Sequence, residues 1–262
     1  MGAALKISVI TVCYNSVRTI EETIVSVINQ RDANVEYLVI DGGSTDGTLN
    51  VLQKYQAHID KIVSEPDNGI YDAMNKGLAL ASGDIVGFLN ADDLFAEDCV
   101  LKNIAELFEN FSPDACFGDL IYFSSPQQKT VRYWQSSAFK AGAFARGWSP
   151  AHPTFYVKRA IYQQYGGFNL AYPMGNDIEL MMRLLEKHRI KSIYLPLVMV
   201  KMRLGGVSNQ SIKNIVIQNK SIFEAANHLK LRIRWGSFIF CKMGHRFSQF
   251  IFKNRSLGHN VN

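Results

Sequence analysis

Four short polar clusters close apolar runs in the first hundred residues, at positions 11–15, 41–44, 65–68 and 90–93. The last carries the sharpest chemistry. There an apolar run ends in Leu89-Asn90-Ala91-Asp92-Asp93, one amide and two carboxylates around a small residue. Carboxylate oxygens suit Mg²⁺ or Mn²⁺, which often take only one or two protein carboxylates and leave the remaining positions to water and phosphate. If the strand pleat continues, Asn90 and Asp92 share a face and Asp93 points elsewhere. Asp93 then reads as the cap of a helix through Glu97 and Leu101. The second cluster, Asp41-Gly42-Gly43-Ser44-Thr45-Asp46-Gly47, lacks the GxGxxG order of a dinucleotide site and the lysine of a P-loop. Hydride transfer and NTP hydrolysis lose their main support. Asp41 can accept a hydrogen bond from a nucleobase imide or a ribose hydroxyl, or Asp41 and Asp46 can bond neighbouring backbone N–H groups in a turn. Spacing alone leaves both open.

These clusters need elements to position them. Lys6–Cys13 is a continuous apolar run suited to a strand buried on both faces. Ile20, Ile24, Val27 and Ile28 follow at helical spacing, with Thr19 and Glu22 placed as a capping box. The cycle repeats with a strand at 36–40, a helix through Val51, Leu52 and Tyr55, a strand at Lys61–Ser64, a helix through Ile70, Ala73, Met74 and Gly77, and a strand at 85–89. Such alternation predicts parallel strands, with all four clusters on the carboxyl edge of one sheet. Beyond it the pattern predicts strands at 115–123, 131–134, 154–157 and 191–195, and a helix over 177–187. We expect one α/β domain in two halves, a nucleotide-binding half over 1–98 and an acceptor-binding half over 99–225, followed by a basic, aromatic tail over 226–262.

The net charge of +5 belongs to that tail: after Glu224 the chain holds no acid but seven cations, from Lys230 to Arg255. The body is slightly acidic, so the charge gives no argument for nucleic-acid binding. Cys13, Cys99, Cys116 and Cys241 show no metal or redox spacing. A reducing, cytoplasmic setting is expected, with no signal-peptide pattern and no apolar run near the ~20 residues of a spanning helix. On a helical wheel Phe240, Met243, Phe247, Phe250 and Ile251 share one arc, with Lys242, Arg246 and Lys253 at its edge. This predicts a peripheral contact with an anionic membrane, at the inner face of the cytoplasmic membrane. Packing of the aromatics on the domain or on a second subunit is the alternative.

Ser8-Val9-Ile10-Thr11-Val12-Cys13-Tyr14-Asn15, the run from Val39 through Asp41 to Thr48, and Phe88-Leu89-Asn90-Ala91-Asp92-Asp93 together resemble family 2 glycosyltransferases. The run from Ser64 through Glu65-Pro66-Asp67-Asn68-Gly69-Ile70-Tyr71-Asp72 to Gly77 resembles a branch used in bacterial surface-polysaccharide assembly. The resemblance implies an inverting enzyme of GT-A fold, a Rossmann-like, mainly parallel sheet flanked by helices. It implies a nucleotide-sugar donor, a UDP-hexose or UDP-N-acetylhexosamine, bordered by Thr11, Asn15, Asp41, Asp67, Asn90, Ala91 and Asp92, with Asp41 on the base and Asp92 on the metal. Asn90 stands where the family usually has the first acid of an Asp-x-Asp motif, and Met74 where many relatives carry arginine. Asp177, in Met174-Gly175-Asn176-Asp177-Ile178-Glu179, matches the family's general base for the acceptor hydroxyl; capping of its helix and the neighbouring Glu179 are the competing readings.

Trp148 and His152 are candidate acceptor contacts, since aromatic faces pack on sugar rings, with a structural role before a strand as the alternative; Arg203 is a candidate diphosphate contact, with an exposed surface arginine as the alternative. The acceptor is expected to be a saccharide or polyprenyl-linked saccharide. A sugar nucleotidylyltransferase is disfavoured, because Tyr14-Asn15-Ser16-Val17-Arg18 is not glycine-rich. A non-catalytic nucleotide- or glycan-binding protein of the same fold is the rival from another class.

Overall fold

The computed structural model describes residues 4–124, 129–204 and 212–233, with positions 236, 238–241 and 244. The expected tail arc therefore lies outside the described residues except at Phe240, whose ring is exposed. The described residues form one nine-stranded sheet of order β3-β2-β1-β4-β8-β6-β9-β5, with β7 paired to β6. Its first part alternates as the sequence predicts: β1 (Lys6–Cys13), α1 (Ile20–Ile28), β2 (Asn34–Asp41), α2 (Thr48–Lys54), β3 (Lys61–Ser64), α3 (Ile70–Leu80) and β4 (Ile85–Phe88). β1 pairs in parallel with both β2 and β4, and β2 with β3.

Period-2 alternation distributes these strands between two apolar layers. Ile10, Val12, Leu38, Ile40 and Phe88 face α3, where Ala73 and Met74 are buried, while Val9, Val39 and Ile85 face Ile20, Ile24 and Leu52. Each such fully buried aliphatic side chain stabilises the fold by roughly 1.5–3 kcal/mol. Gly77 lets α3 lie directly on β1, because a methyl group there would run into Ile10.

The second part comprises β5 (Asp93–Phe95), α4 (Val100–Phe111), β6 (Ala115–Ser124), β7 (Lys129–Trp134), β8 (Tyr156–Lys158), α5 (Arg159–Tyr165), α6 (Asn176–Met181), β9 (Ser192–Arg203) and α7 (Ile212–His228). β8 is antiparallel to both β4 and β6, and this insertion joins the two parts into one sheet. The helix expected over 177–187 begins as α6 and continues as a π-helical turn, Met182–Lys187. β9 runs eight residues past its expected end because Pro196 sits exposed at a break in its register with β6, where no ladder N–H is needed.

Three local expectations are corrected. Thr19 precedes α1 but makes no capping bond; its hydroxyl donates to the Ser16 carbonyl at 3.4 Å instead. Asp93 caps nothing, since it opens β5 opposite Met202 and α4 starts only at Val100. Asn90 and Asp92 do not share a strand face: β4 ends at Phe88, and the chain turns through a 3.0 Å bond from the Asp93 amide to the Asn90 carbonyl. No helix among the described residues is long and apolar enough to cross a membrane.

Candidate active site

The loops that follow β1, β2 and β3 are bonded to one another. Asn15 takes a left-handed conformation, φ 50°, which its short amide side chain tolerates. Its amide donates to Ser44 Oγ at 2.7 Å, and its Oδ1 accepts from the Thr45 amide at 2.9 Å. Asp46 accepts from the Val17 amide at 3.1 Å and from the Thr48 amide and hydroxyl at 3.0 and 2.6 Å. Thr11 lies buried within β1 and accepts from the Tyr37 hydroxyl at 3.2 Å.

Asp41, at the end of β2, is fully buried. Its Oδ2 accepts from the Gly43 and Ser44 amides at 3.2 and 3.0 Å and from Ser64 Oγ at 2.6 Å, while Oδ1 accepts from Ser44 Oγ. Burial pushes this carboxyl upward, but the Ser44 and Ser64 hydroxyls and the Ser44 amide outweigh it and hold Asp41 below the ordinary range. The turn that spacing left open is thus formed, and Asp41 orders it. Gly42 is required beside it: a methyl group there would stand 2.5 Å from Asp67 Oδ2 and 3.4 Å from the Tyr14 ring. Asp67 is steadied by the Gly69 amide at 2.8 Å, and the Tyr14 ring is exposed. Sequence reasoning passed over Tyr14, although it sits inside the first quoted motif.

The acidic turn after β4 is built differently. Asp92 is half-buried and Asp93 fully buried, with Ala91 buried between them and Asn90. Asn90 Nδ2 reaches Asp93 Oδ2 at 3.3 Å, but Asp93 Oδ1 and Asn90 Oδ1 are buried with no partner among the described residues. Burial pushes the Asp92 carboxyl up against the pull of Arg203. Burial and the Asp92 charge push Asp93 well above the carboxylate range. Arg203 is no loose surface cation: its guanidinium pairs with Glu22 of α1 at 3.0 Å and lies over the Phe123 ring at 4.9 Å. Among the described residues no three His, Cys, Asp or Glu side chains converge as a ready-made metal cage.

Asp177 stands in the first turn of α6, entered through Gly175 at φ 80°. It is reached from the start of α3 by the Tyr71 hydroxyl, which donates to Asp177 Oδ1 at 3.0 Å across 106 residues of sequence. That contact brings Asp177 to the carboxyl edge, where α3 begins. The competitor Glu179 is buried and committed to Arg183 at 2.9 Å. His152 is buried too, its ring 5.7 Å from Phe88 and 5.5 Å from Phe168. Burial lowers its pKa against the opposing charge of Asp177. Trp148 packs among Phe117, Phe139 and Phe144 with centroids 5.5–5.8 Å away, and its indole N–H is buried without a partner among the described residues. A shallow cavity of about 280 Å³ between Leu5, Phe108 and Lys158 lies at the opposite, amino edge of the strands. It is remote from these acids.

The architecture is that of the GT-A class of fold, as two solved structures show. The fold agrees over 98% of this chain with Staphylococcus aureus TarS 1-349 in complex with UDP-GlcNAc, at a TM-score of 0.69, 17% identity and 77% coverage of that chain. It agrees over the same share with the mannosyltransferase PcManGT from Pyrobaculum calidifontis in complex with GDP-Man and Mn²⁺, at a TM-score of 0.63, 16% identity and 76% coverage. In sequence, the PGL/p-HBAD biosynthesis glycosyltransferase of Mycobacterium bovis is 27% identical over 212 residues, 79% of this chain and 80% of that protein. The chain belongs to glycosyl transferase family 2, whose family model matches residues 8–168, and it is a glycosyltransferase.

Proposed function

We propose that this enzyme moves a sugar, with inversion, from a nucleotide donor of the UDP-hexose or UDP-N-acetylhexosamine type to a hydroxyl of a glycan or polyprenyl-linked saccharide. The observation that carries this reading is the Tyr71–Asp177 bond, which sets a carboxylate from the second half of the chain at the strand edge bearing Asp41, Asp67 and Asp92. The exposed Tyr14 ring and the amide-rich turn ordered by Asp41 offer a base and ribose a flat face and backbone groups. Asn15, with Thr11 beneath it, supports that turn. Asp177 accepts the proton of the acceptor hydroxyl as its oxygen forms a bond to the anomeric carbon. The bond from that carbon to the diphosphate breaks on the opposite face, and the nucleoside diphosphate leaves with the electron pair. A single displacement inverts the centre, and a positioned base contributes roughly 10²–10⁴-fold.

The residues around Asp92 fit a divalent cation, Mg²⁺ or Mn²⁺. Asp93 Oδ1 and Asn90 Oδ1 are unpartnered acceptors beside two crowded carboxylates, and oxygen donors with diphosphate are what such ions take. Bound there, the cation would offset the negative charge growing on the departing diphosphate. Arg203 adds a fixed positive charge on the same side. His152 and Trp148 stand on the Asp177 side, where an acceptor sugar approaches. The exposed Phe240 and the basic tail suit contact with an anionic membrane carrying a lipid-linked acceptor.

Asp177→Asn tests the proposal. Transfer should fall by about 10²–10⁴-fold while the affinity for the nucleotide, read by titration, stays within about twofold. Parallel loss of nucleotide binding and of thermal stability would instead make Asp177 a folding residue.

A further inference from the structure

Beyond the acids, the segment from Gly69 to Gly77 poses its own question, because two of its polar side chains leave α3 for the 168–177 loop. Asn75 bonds both backbone groups of Phe168, donating to the carbonyl at 2.9 Å and accepting from the amide at 2.8 Å. One turn earlier on the same helical face, Tyr71 donates to Asp177 Oδ1. The two ends of the loop that delivers Asp177 are therefore fastened to one rigid helix. The Tyr71 ring rests on Phe168 at 5.5 Å, and Phe168 on Phe88 of β4 at 5.2 Å, so the hydroxyl is aimed by packing.

We infer that Tyr71 is a positioning residue for proton transfer: it holds Asp177 Oδ1 and thereby turns Oδ2 toward the acceptor hydroxyl. The inference rests on Asp177 being the base. Among the described residues Oδ2 makes no hydrogen bond, so the carboxylate is held at one oxygen and open at the other. Burial, reinforced by the Asp177 charge, keeps the phenol protonated, which makes it a donor throughout the neutral range. The helix that carries Tyr71 also begins at the loop of Asp67, where Asp72 accepts from the Asn68 amide at 2.9 Å. Donor-side loop and base are thus set by the same helix.

Tyr71→Phe keeps the ring and its packing and removes only the hydroxyl; half-exposed Asp177 can take water in its place, so the fold is retained. The expected result is a kcat about tenfold lower, since a hydrogen bond to a charged group is lost, with donor KM and melting temperature unchanged. Tyr71→Phe combined with Asp177→Asn should be no slower than Asp177→Asn alone, because two residues acting through one carboxylate are not additive. An unaltered kcat in the Phe variant overturns the inference, as does an equal tenfold loss in the Asn background. Should Tyr71→Phe melt early, Asn75→Ala reads the same fastening from its other end: it should lower kcat with donor KM unchanged, and full kcat overturns the inference. Full transfer by Asp177→Asn is a different failure, that of the base itself.

Discussion

Glu36 and Asp93 are both buried acids on one sheet, yet their surroundings are opposite. Glu36, at the amino edge of β2, accepts from Ser8 Oγ and Ser82 Oγ at 2.5 Å each, from the Ser82 amide at 2.8 Å and from Lys6 at 3.2 Å. Burial raises it, but these donors win and bring it down to about 2. Asp93, on the carboxyl side, meets the Asn90 amide and the Arg203 backbone, but among the described residues its Oδ1 has no partner, and burial and the Asp92 charge outweigh the donors it has. The same contrast separates Asp41 from Asp92. Where a carboxylate completes the fold, the chain supplies its donors; where it is left short of them, the proposed cation would be the missing partner. Among the described residues, Trp148 Nε1 and Asn176 Oδ1 are further buried polar atoms without partners, again on the second half.

Asp92→Ala would break this contrast most sharply. Transfer should fall by about 1,000-fold and lose its dependence on added Mg²⁺ or Mn²⁺, with no loss of melting temperature, because Asp92 contributes charge stabilisation rather than packing. A folded variant that keeps cation-dependent turnover would place the cation elsewhere. Glu36→Gln should do the reverse and cost stability. A carboxyl held at about 2 against an ordinary 4.5 contributes about 3 kcal/mol at neutral pH. Its folded value is depressed, so this stability is fully present above about pH 4.5 and is lost as pH falls through about 2. Urea midpoints of the two proteins should therefore differ at pH 7 and converge in acid, and a constant gap would point to lost packing instead.

The first half was legible because each of its levels repeats one rule. Apolar runs marked β1 to β4, helical spacing marked α1 and α3, and the polar clusters fall at the strand ends. Local patterns said less about the second half. β5 is only three residues long, and Asp93 inside it resembles a cap until its pairing with β9 is known. Pro196 looks like the end of a strand, and only a register break against β6 lets β9 continue. The motif singles out Asp177 as the candidate base, whereas helical spacing places its partner Tyr71 in a helix whose apolar face is Ile70, Ala73 and Met74. In the structure Ile70 is exposed and Tyr71 turns toward Asp177. A contact across 106 residues leaves no periodicity to read.

Asp93→Asn gives the smallest effect and the finest test, because it exchanges a carboxyl for a neutral amide with almost no change of volume. Asp93 is fully buried, and among the described residues the only side chain that donates to it is Asn90, at 3.3 Å. Burial and the neighbouring Asp92 charge make the ionised form of Asp93 costly, and a neutral isostere removes that cost. The new amide keeps a carbonyl oxygen for Asn90 Nδ2 and adds an N–H that can serve the bare Asn90 Oδ1. In EDTA the variant should be more stable than the parent by about 1 kcal/mol, read as a higher urea midpoint. Added Mg²⁺ with UDP should narrow or reverse the gap, since a bound cation would favour the parent's carboxylate and finds none at this position in the variant. A variant less stable than the parent in EDTA would put Asp93 with Glu36 as a structural acid, and the contrast between the two regions would then begin at Asp92.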